Sequence, residues 1–154
     1  MIDVIVPFDR AREPALLQLW RAYQEFYRVS DIDEARNRAH VTEIRENPAL
    51  GHIHLALAQG EPVGFSTIYY TYASTRACKV ALLNDLFVVP EQRRTGIGRA
   101  LLEHALGFAR EQGIRYVRWS TAATNADAQR LYDGYGEPTL WKMYSVDVSL
   151  RPRP

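Results

Sequence analysis

Three arginines and two glycines crowd into Arg93-Arg94-Thr95-Gly96-Ile97-Gly98-Arg99. An apolar run ending near Val89 precedes them and a helical pattern opens at Ile97, so unpaired main-chain N–H groups and the positive end of a helix dipole converge there. Such a spot suits a phosphate. Gly96 and Gly98 let an anion approach the backbone without a Cβ in the way, and Arg93, Arg94 and Arg99 add charge-assisted hydrogen bonds. A tight turn with solvated arginines is the alternative reading of so short a pattern. Two common phosphate loops are excluded by spelling: a Walker loop needs Lys-Ser/Thr where Arg99-Ala100 stands, and a dinucleotide fingerprint needs a small third residue where Leu101 stands.

The elements that position this loop follow from periodicity. Met1 to Val6 alternates as a strand that Pro7 stops. Leu16, Trp20, Tyr23 and Tyr27 give an apolar face to a helix over 13–28, and a weaker helix runs over 35–46 to Asn47-Pro48. From Gly51 the period becomes two, predicting strands over 51–58, 63–72 and 79–89 in two consecutive hairpins. Helices follow over 97–112 and 125–135, with strands over 116–120 and 141–148. The order β-α-α-β-β-β-α-β-α-β implies an α/β (α+β) domain over 1–150 whose mixed, mostly antiparallel sheet turns parallel across the Ile97 helix. Residues 151–154 read as a disordered tail.

A family resemblance emerges from two motifs in order. Arg93-Arg94-Thr95-Gly96-Ile97-Gly98 resembles the acetyl-CoA loop of the GNAT superfamily of N-acetyltransferases: Gln or Arg, two variable residues, Gly, one variable residue, then Gly or Ala. Downstream, Asn125-Ala126-Asp127-Ala128-Gln129-Arg130-Leu131-Tyr132-Asp133-Gly134-Tyr135-Gly136 is similar to the motif that follows it in that family. The element order also looks like the GNAT fold, a central sheet flanked by four helices. Among subfamilies, Gly64 to Tyr72, the Leu83-to-Val88 strand and Trp141 look closest to the diamine and polyamine acetyltransferases.

The resemblance implies a division of labour. Main-chain N–H groups of Leu86, Phe87 and Val88 would bond pantetheine and polarise the thioester of acetyl-CoA, provided a bulge splays the strand. Arg93, Arg94, Thr95, Gly96, Ile97, Gly98 and Arg99 would hold its phosphates, Asn125 would bond it from the facing element, and Tyr132 would protonate the departing thiolate. An amine attacks directly, so Cys78 is not required and reads as a strand-end filler. Freeing the lone pair of an amine of pKa ~10.4 at neutral pH costs ~4.6 kcal/mol, so a base is wanted. Diamine relatives carry Glu where this chain has Asn84, an amide that cannot accept the proton. Asp85 stands next door, but strand alternation points it to the other face unless a bulge intervenes. In this fold Glu25, Asp31, Asp33 and Glu34 overhang the acceptor side, where they suit a small cationic amine; a solvated, helix-capping turn is the alternative. Tyr69, Tyr70 and Tyr72 would add cation–π contacts, although alternation splits Tyr69 from the other two. A peptide lysine or an aminoglycoside as acceptor, or a non-catalytic acyl-CoA-binding module, are the competing readings.

Composition sets the bounds. The 154 residues suffice for one sizeable core, and 47% hydrophobic with 24% charged residues is globular. A net charge of +1 offers no overall field for nucleic acid or an anionic membrane. That balance conceals sorting, because 1–34 holds four Arg against seven acids while 79–130 holds eight Lys or Arg against five acids. One cysteine, no leader-like N-terminus and no apolar run near ~18 residues point to a cytoplasmic protein. His52 and His54 share a strand face but lack Cys or acidic partners at ligand spacing, so they read as exposed polar residues and no metal is expected. An apolar sheet edge and the resemblance point to a homodimer.

Overall fold

The protein is described here by a computed structural model covering residues 2–149. Its strands are β1 (Val4–Pro7), β2 (Gly51–Ala58), β3 (Glu61–Ala73), β4 (Cys78–Val88) and β5 (Val117–Trp119), and its helices are α1 (Glu13–Phe26), α2 (Glu34–Glu46), α3 (Ile97–Glu111) and α4 (Ala126–Tyr132). The sheet has the order β1-β2-β3-β4-β5. β1 to β4 are antiparallel neighbours, and β5 joins β4 in parallel after the α3 crossover. The chain forms two compact units, Met1–Ser120 and Thr121–Pro154.

Alternation sorts β2 and β3 into two faces. Ile53, Leu55 and Leu57 of β2 and Phe65 of β3 meet Leu16, Leu19 and Trp20 of α1 and Val41 and Ile44 of α2. Trp20 stacks on Phe65 with ring centroids 5.1 Å apart. The other face packs on α3, where Ala56 and Val88 meet Ile97 and Leu101. α2 buries only Asn37, Val41 and Ile44, which explains its weak apolar pattern in the sequence.

Several expectations are corrected. Pro7 is the last residue of β1 rather than a stop before it, a position open to proline because β1 is an edge strand. α1 ends at Phe26 instead of Arg28, since Arg28 takes a left-handed φ of 56° that no helix accommodates. α4 ends at Tyr132 instead of Tyr135. The strand expected over 141–148 does not form: Trp141 and Tyr144 are 90% and 87% exposed, and alternation alone makes no strand without a partner ladder. The tail 151–154 lies outside the described residues.

His54 is the largest surprise on the α3 face. It is only 3% exposed, its ring 4.5 Å from that of His104 and 4.7 Å from that of Phe108, so it is a core residue and not a surface one. Among the described residues no group of three or more His, Cys, Asp or Glu could hold a metal ion. His54 Nδ1 and His104 Nε2 are buried without hydrogen-bond partners among the described residues. Burial, then the charges of His104 and His52, push the His54 imidazole down to about 3. A group whose native pKa lies below its unfolded value contributes full stability above the unfolded pKa, ~6.5, and loses that contribution as pH falls toward the native pKa. His54→Leu should therefore lose less stability between pH 7 and pH 4.5 than the wild type does, by about 1–3 kcal/mol in urea unfolding. Equal losses in both proteins would contradict this role for His54.

Candidate active site

β4 is paired on one side along its whole length but on the other only at Ala81, Leu82 and Leu83, opposite β5. Beyond Leu83 no strand among the described residues pairs with that second side. Its amides can be assigned by alternation: the Val89 N–H donates to the Val63 carbonyl of the β3 side at 3.0 Å, so Phe87 and Asp85 also turn toward β3. Leu86 and Val88 turn toward the open side. Of the three amides expected to hold a thioester arm, two are thus free to do so, while the Phe87 ring packs in the core with Tyr23 and Phe65.

A bulge sits where the two sides of β4 diverge. Thr67 pairs with Asp85 and Ile68 with Leu83, leaving Asn84 as the extra residue. One inserted residue reverses the alternation, so Asp85 and Phe87 face α1 and α2 together with Phe65, Thr67 and Tyr69. Asp85 is 7% exposed. The Thr67 hydroxyl donates to Asp85 Oδ2 in a short hydrogen bond, and Asn84 Nδ2 donates to the same oxygen at 3.1 Å. Oδ1 receives no hydrogen bond from the described residues that would compete for its lone pairs. Asn84 itself is exposed beside it.

The loop after β4 turns into α3 around one internal strut. Gly96 precedes α3 with φ 91° and caps it without a side-chain bond; the Ala100 N–H reaches back to the Gly96 carbonyl at 3.0 Å. The N–H groups of Ile97, Gly98 and Arg99 in that first turn have no intrahelical acceptor and point outward along the dipole. Arg93 is the strut. Its Nε donates to the Val88 carbonyl at 3.0 Å, and its guanidinium lies over the rings of Phe26 at 4.9 Å and Phe87 at 5.8 Å. The Thr95 hydroxyl closes the loop on the Gln92 carbonyl at 2.6 Å, while Arg94 and Arg99 are exposed.

The acidic junction is cross-linked by arginines. Arg21 reaches Glu25 at 3.0 Å and Glu34 at 3.1 Å; Arg36 reaches Asp31 at 2.7 Å and Asp33 at 3.4 Å. Asp33 also caps α2 by accepting from the Arg36 N–H. Between the helices lies a cavity of about 380 Å³ lined by Trp20, Gln24, Asp31, Asp33, Arg36 and His40, among others. Asp31 and Asp33 therefore reach a cavity, and Glu25 does not line it. Of the three tyrosines, Tyr69 alone turns this way, accepting or donating a hydrogen bond of 2.8 Å with His40 Nε2. Tyr70 receives Lys79 over its ring at 4.1 Å, and Tyr72 is exposed.

In the second unit, Asn125 Oδ1 caps α4 by accepting from the Ala128 N–H at 3.2 Å, which leaves its amide nitrogen as the group that can serve a ligand. Tyr132 is the half-buried last residue of α4. Thr67, His40 and Arg36 were not anticipated from the sequence. The available signal was Thr67 itself, a polar residue between Phe65 and Tyr69 on what alternation makes one face.

Comparison with known proteins gives a consistent result. The model of the acetyltransferase (GNAT) family matches residues 16–136. An uncharacterized N-acetyltransferase of Bacillus subtilis, YhfO, is 36% identical over 137 residues, 87% of this chain and 90% of its own length. The D-amino-acid N-acetyltransferase HPA3 of Saccharomyces cerevisiae is 30% identical over 133 residues, 86% of this chain and 81% of its own. A crystal structure of a probable acetyltransferase superposes with a TM-score of 0.83 at 30% identity, covering 97% of this chain and all of that one.

Gly96 carries the sharpest prediction of this geometry. A Cβ there meets no neighbour, so Gly96→Ala tests the positive φ alone and should destabilise the fold by about 1–2 kcal/mol in urea unfolding. Unchanged stability would show that the loop does not need its left-handed residue.

Proposed function

Because the chain belongs to the GNAT acetyltransferase family and is thereby an N-acetyltransferase, we propose that it transfers acetyl from acetyl-CoA directly to the primary amine of a small cationic acceptor. The observation that carries the acceptor class is the cavity of about 380 Å³ between α1 and α2, with Asp31, Asp33 and the Trp20 ring in its wall. Carboxylates and an aromatic face are the groups that select a cation. The volume suits a small molecule and not a folded partner.

The residues present fit acetyl-CoA. Leu86 and Val88 offer open-side amides for its pantetheine arm, and the Gly96 to Arg99 turn offers N–H groups and an exposed guanidinium for its phosphates. Bound acetyl-CoA supplies the thioester carbonyl that the amine attacks. A main-chain donor at the developing oxyanion typically contributes ~3 kcal/mol. Asp85 is the base that removes the proton from the acceptor nitrogen, a role the bulge permits by turning its carboxylate toward the α1–α2 layer beside the Leu86 amide. Tyr132 is the acid for the leaving thiolate: a phenol of pKa ~10 serves a thiol of pKa ~8.5 with only a modest uphill transfer.

A second reading, an amino acid as acceptor, is favoured by Arg36, which places a guanidinium in the same cavity wall as the two carboxylates. The yeast relative that acts on D-amino acids supports it. Free thiol released from acetyl-CoA should be measured with diamines, amino acids of both hands, an aminoglycoside and a lysine peptide. Small cationic or zwitterionic amines should give the highest kcat/KM, and a lysine peptide outrunning all of them would overturn the small-acceptor reading. Tyr132→Phe should keep acetyl-CoA affinity while lowering kcat on the order of tenfold to a hundredfold. An unchanged kcat would remove Tyr132 from the mechanism.

A further inference from the structure

Arg93 is the loop arginine whose contacts run back into the protein. Besides donating from Nε to the Val88 carbonyl at 3.0 Å, it lays its guanidinium over Phe26 and Phe87, with centroids at 4.9 and 5.8 Å. A planar guanidinium can do both at once, because its faces stack on aromatic rings while its edge keeps N–H donors. The two phenylalanines are also joined through the end of α1. Phe26 meets Tyr27 at 5.1 Å, Tyr27 meets Tyr23 at 5.0 Å, and Tyr23 meets Phe87 at 5.8 Å, each pair edge to face. Arg93 closes this chain of contacts on itself, tying the loop to the last residue of α1.

The segments so joined serve different substrates. From Phe26 the connector 27–33 runs through the left-handed Arg28 to Asp33, which caps α2. Three of its residues, Val29, Asp31 and Asp33, line the α1–α2 cavity. On the other side, Arg93 stands between the end of β4, whose Val88 amide the proposed function gives to the acyl arm, and the Gly96 turn that opens α3.

We infer that Arg93 is a positioning residue and not a phosphate ligand, and that its contact with Phe26 couples the cofactor site to the acceptor site. The inference rests on the reading of the α1–α2 cavity as the place of the acceptor. A loop held by acetyl-CoA holds Arg93, and Arg93 holds the start of the connector whose carboxylates line the cavity. Because both segments share the contact, each substrate raises the affinity for the other, by the same factor in both directions. Phosphate binding is left to the exposed Arg94 and Arg99 and to the first-turn N–H groups of α3. Phe26 is 48% exposed, so its ring can be changed while the buried core stays as it is.

Calorimetric titration reads this coupling without turnover, since CoA, the deacetylated product, fills the cofactor site and transfers nothing. The acceptor used is the fastest amine of the panel, whatever its class. It should bind the CoA-saturated protein on the order of threefold tighter than the free protein, and CoA should gain the same factor from saturating acceptor. Phe26→Leu keeps apolar bulk but offers the cation no aromatic face, and should bring both factors to about one. Phe26→Trp keeps a face and should keep the coupling, which a packing role for Phe26 would not predict. Arg93→Gln removes the cation instead, and the double variant should lose no more coupling than either single one. Thermal unfolding identifies the folded variants, and Arg93→Gln stands in if Phe26→Leu does not fold. A factor of one in the wild type, or a wild-type factor in folded Phe26→Leu, would overturn the coupling. Failure of the cavity reading shows separately: acceptor affinity unchanged in both Asp31→Asn and Asp33→Asn would put the acceptor elsewhere, whatever the Phe26 variants do.

Discussion

β4 must keep β3 as a partner throughout and release β5 after three residues. Everything the site offers descends from that constraint. If β5 continued along β4, the amides of Leu86 and Val88 would be spent in a ladder and no acyl arm could use them. The release is enforced by the extra residue at Asn84, which stands one position past the last residue paired with β5. A bulge increases local twist and bends its strand, so the same residue that ends one pairing turns Asp85 into the helical layer.

Burying a carboxylate is costly unless it is hydrogen-bonded, and the donors here are a hydroxyl and an amide rather than a cation. Both donors are neutral, so no cation is paired with Asp85 in these hydrogen bonds. The arginines are placed elsewhere. Arg93 spends its charge against the aromatic rings of Phe26 and Phe87 and ties the loop to the end of β4, while Arg21 and Arg36 cross-brace the acids between α1 and α2. The local sorting of charge along the chain thus becomes two separate neighbourhoods on one unit.

Much of this was legible in the sequence. The strand–loop–helix around Gly96 and the order of the first nine elements follow from local patterns, because turn glycines, caps and alternation are encoded within a few residues, whereas the need for a bulge near Asp85 comes from what the family resemblance implies. What alternation could not give was the phase of β4. Leu82 to Val88 is apolar on both faces apart from Asn84-Asp85, so nothing in it marks which residue is the extra one. His54 was misplaced because a polar residue on an alternating strand reads as solvent-facing until α3 is laid over it. The expected strand over 141–148 failed for the converse reason: its pattern is local, whereas a strand requires a neighbour. The link between His40 and Tyr69 spans 29 residues and has no local signature at all.

The ion pairs of the α1–α2 junction carry one more consequence. Asp31 and Asp33, the carboxylates in the cavity wall, already share Arg36. A cation of the proposed acceptor class would exchange there with a tethered guanidinium instead of meeting bare charge. Exchange leaves the number of ion pairs nearly constant, so selectivity among cations becomes a contest of shape and hydrogen-bond geometry, in which the planar, forked guanidinium is the standing competitor. The displaced Arg36 would in turn be left seeking an anion, which an acceptor carrying its own carboxylate supplies and a simple diamine does not. The junction thus carries its own counterion, Arg36, as part of the protein.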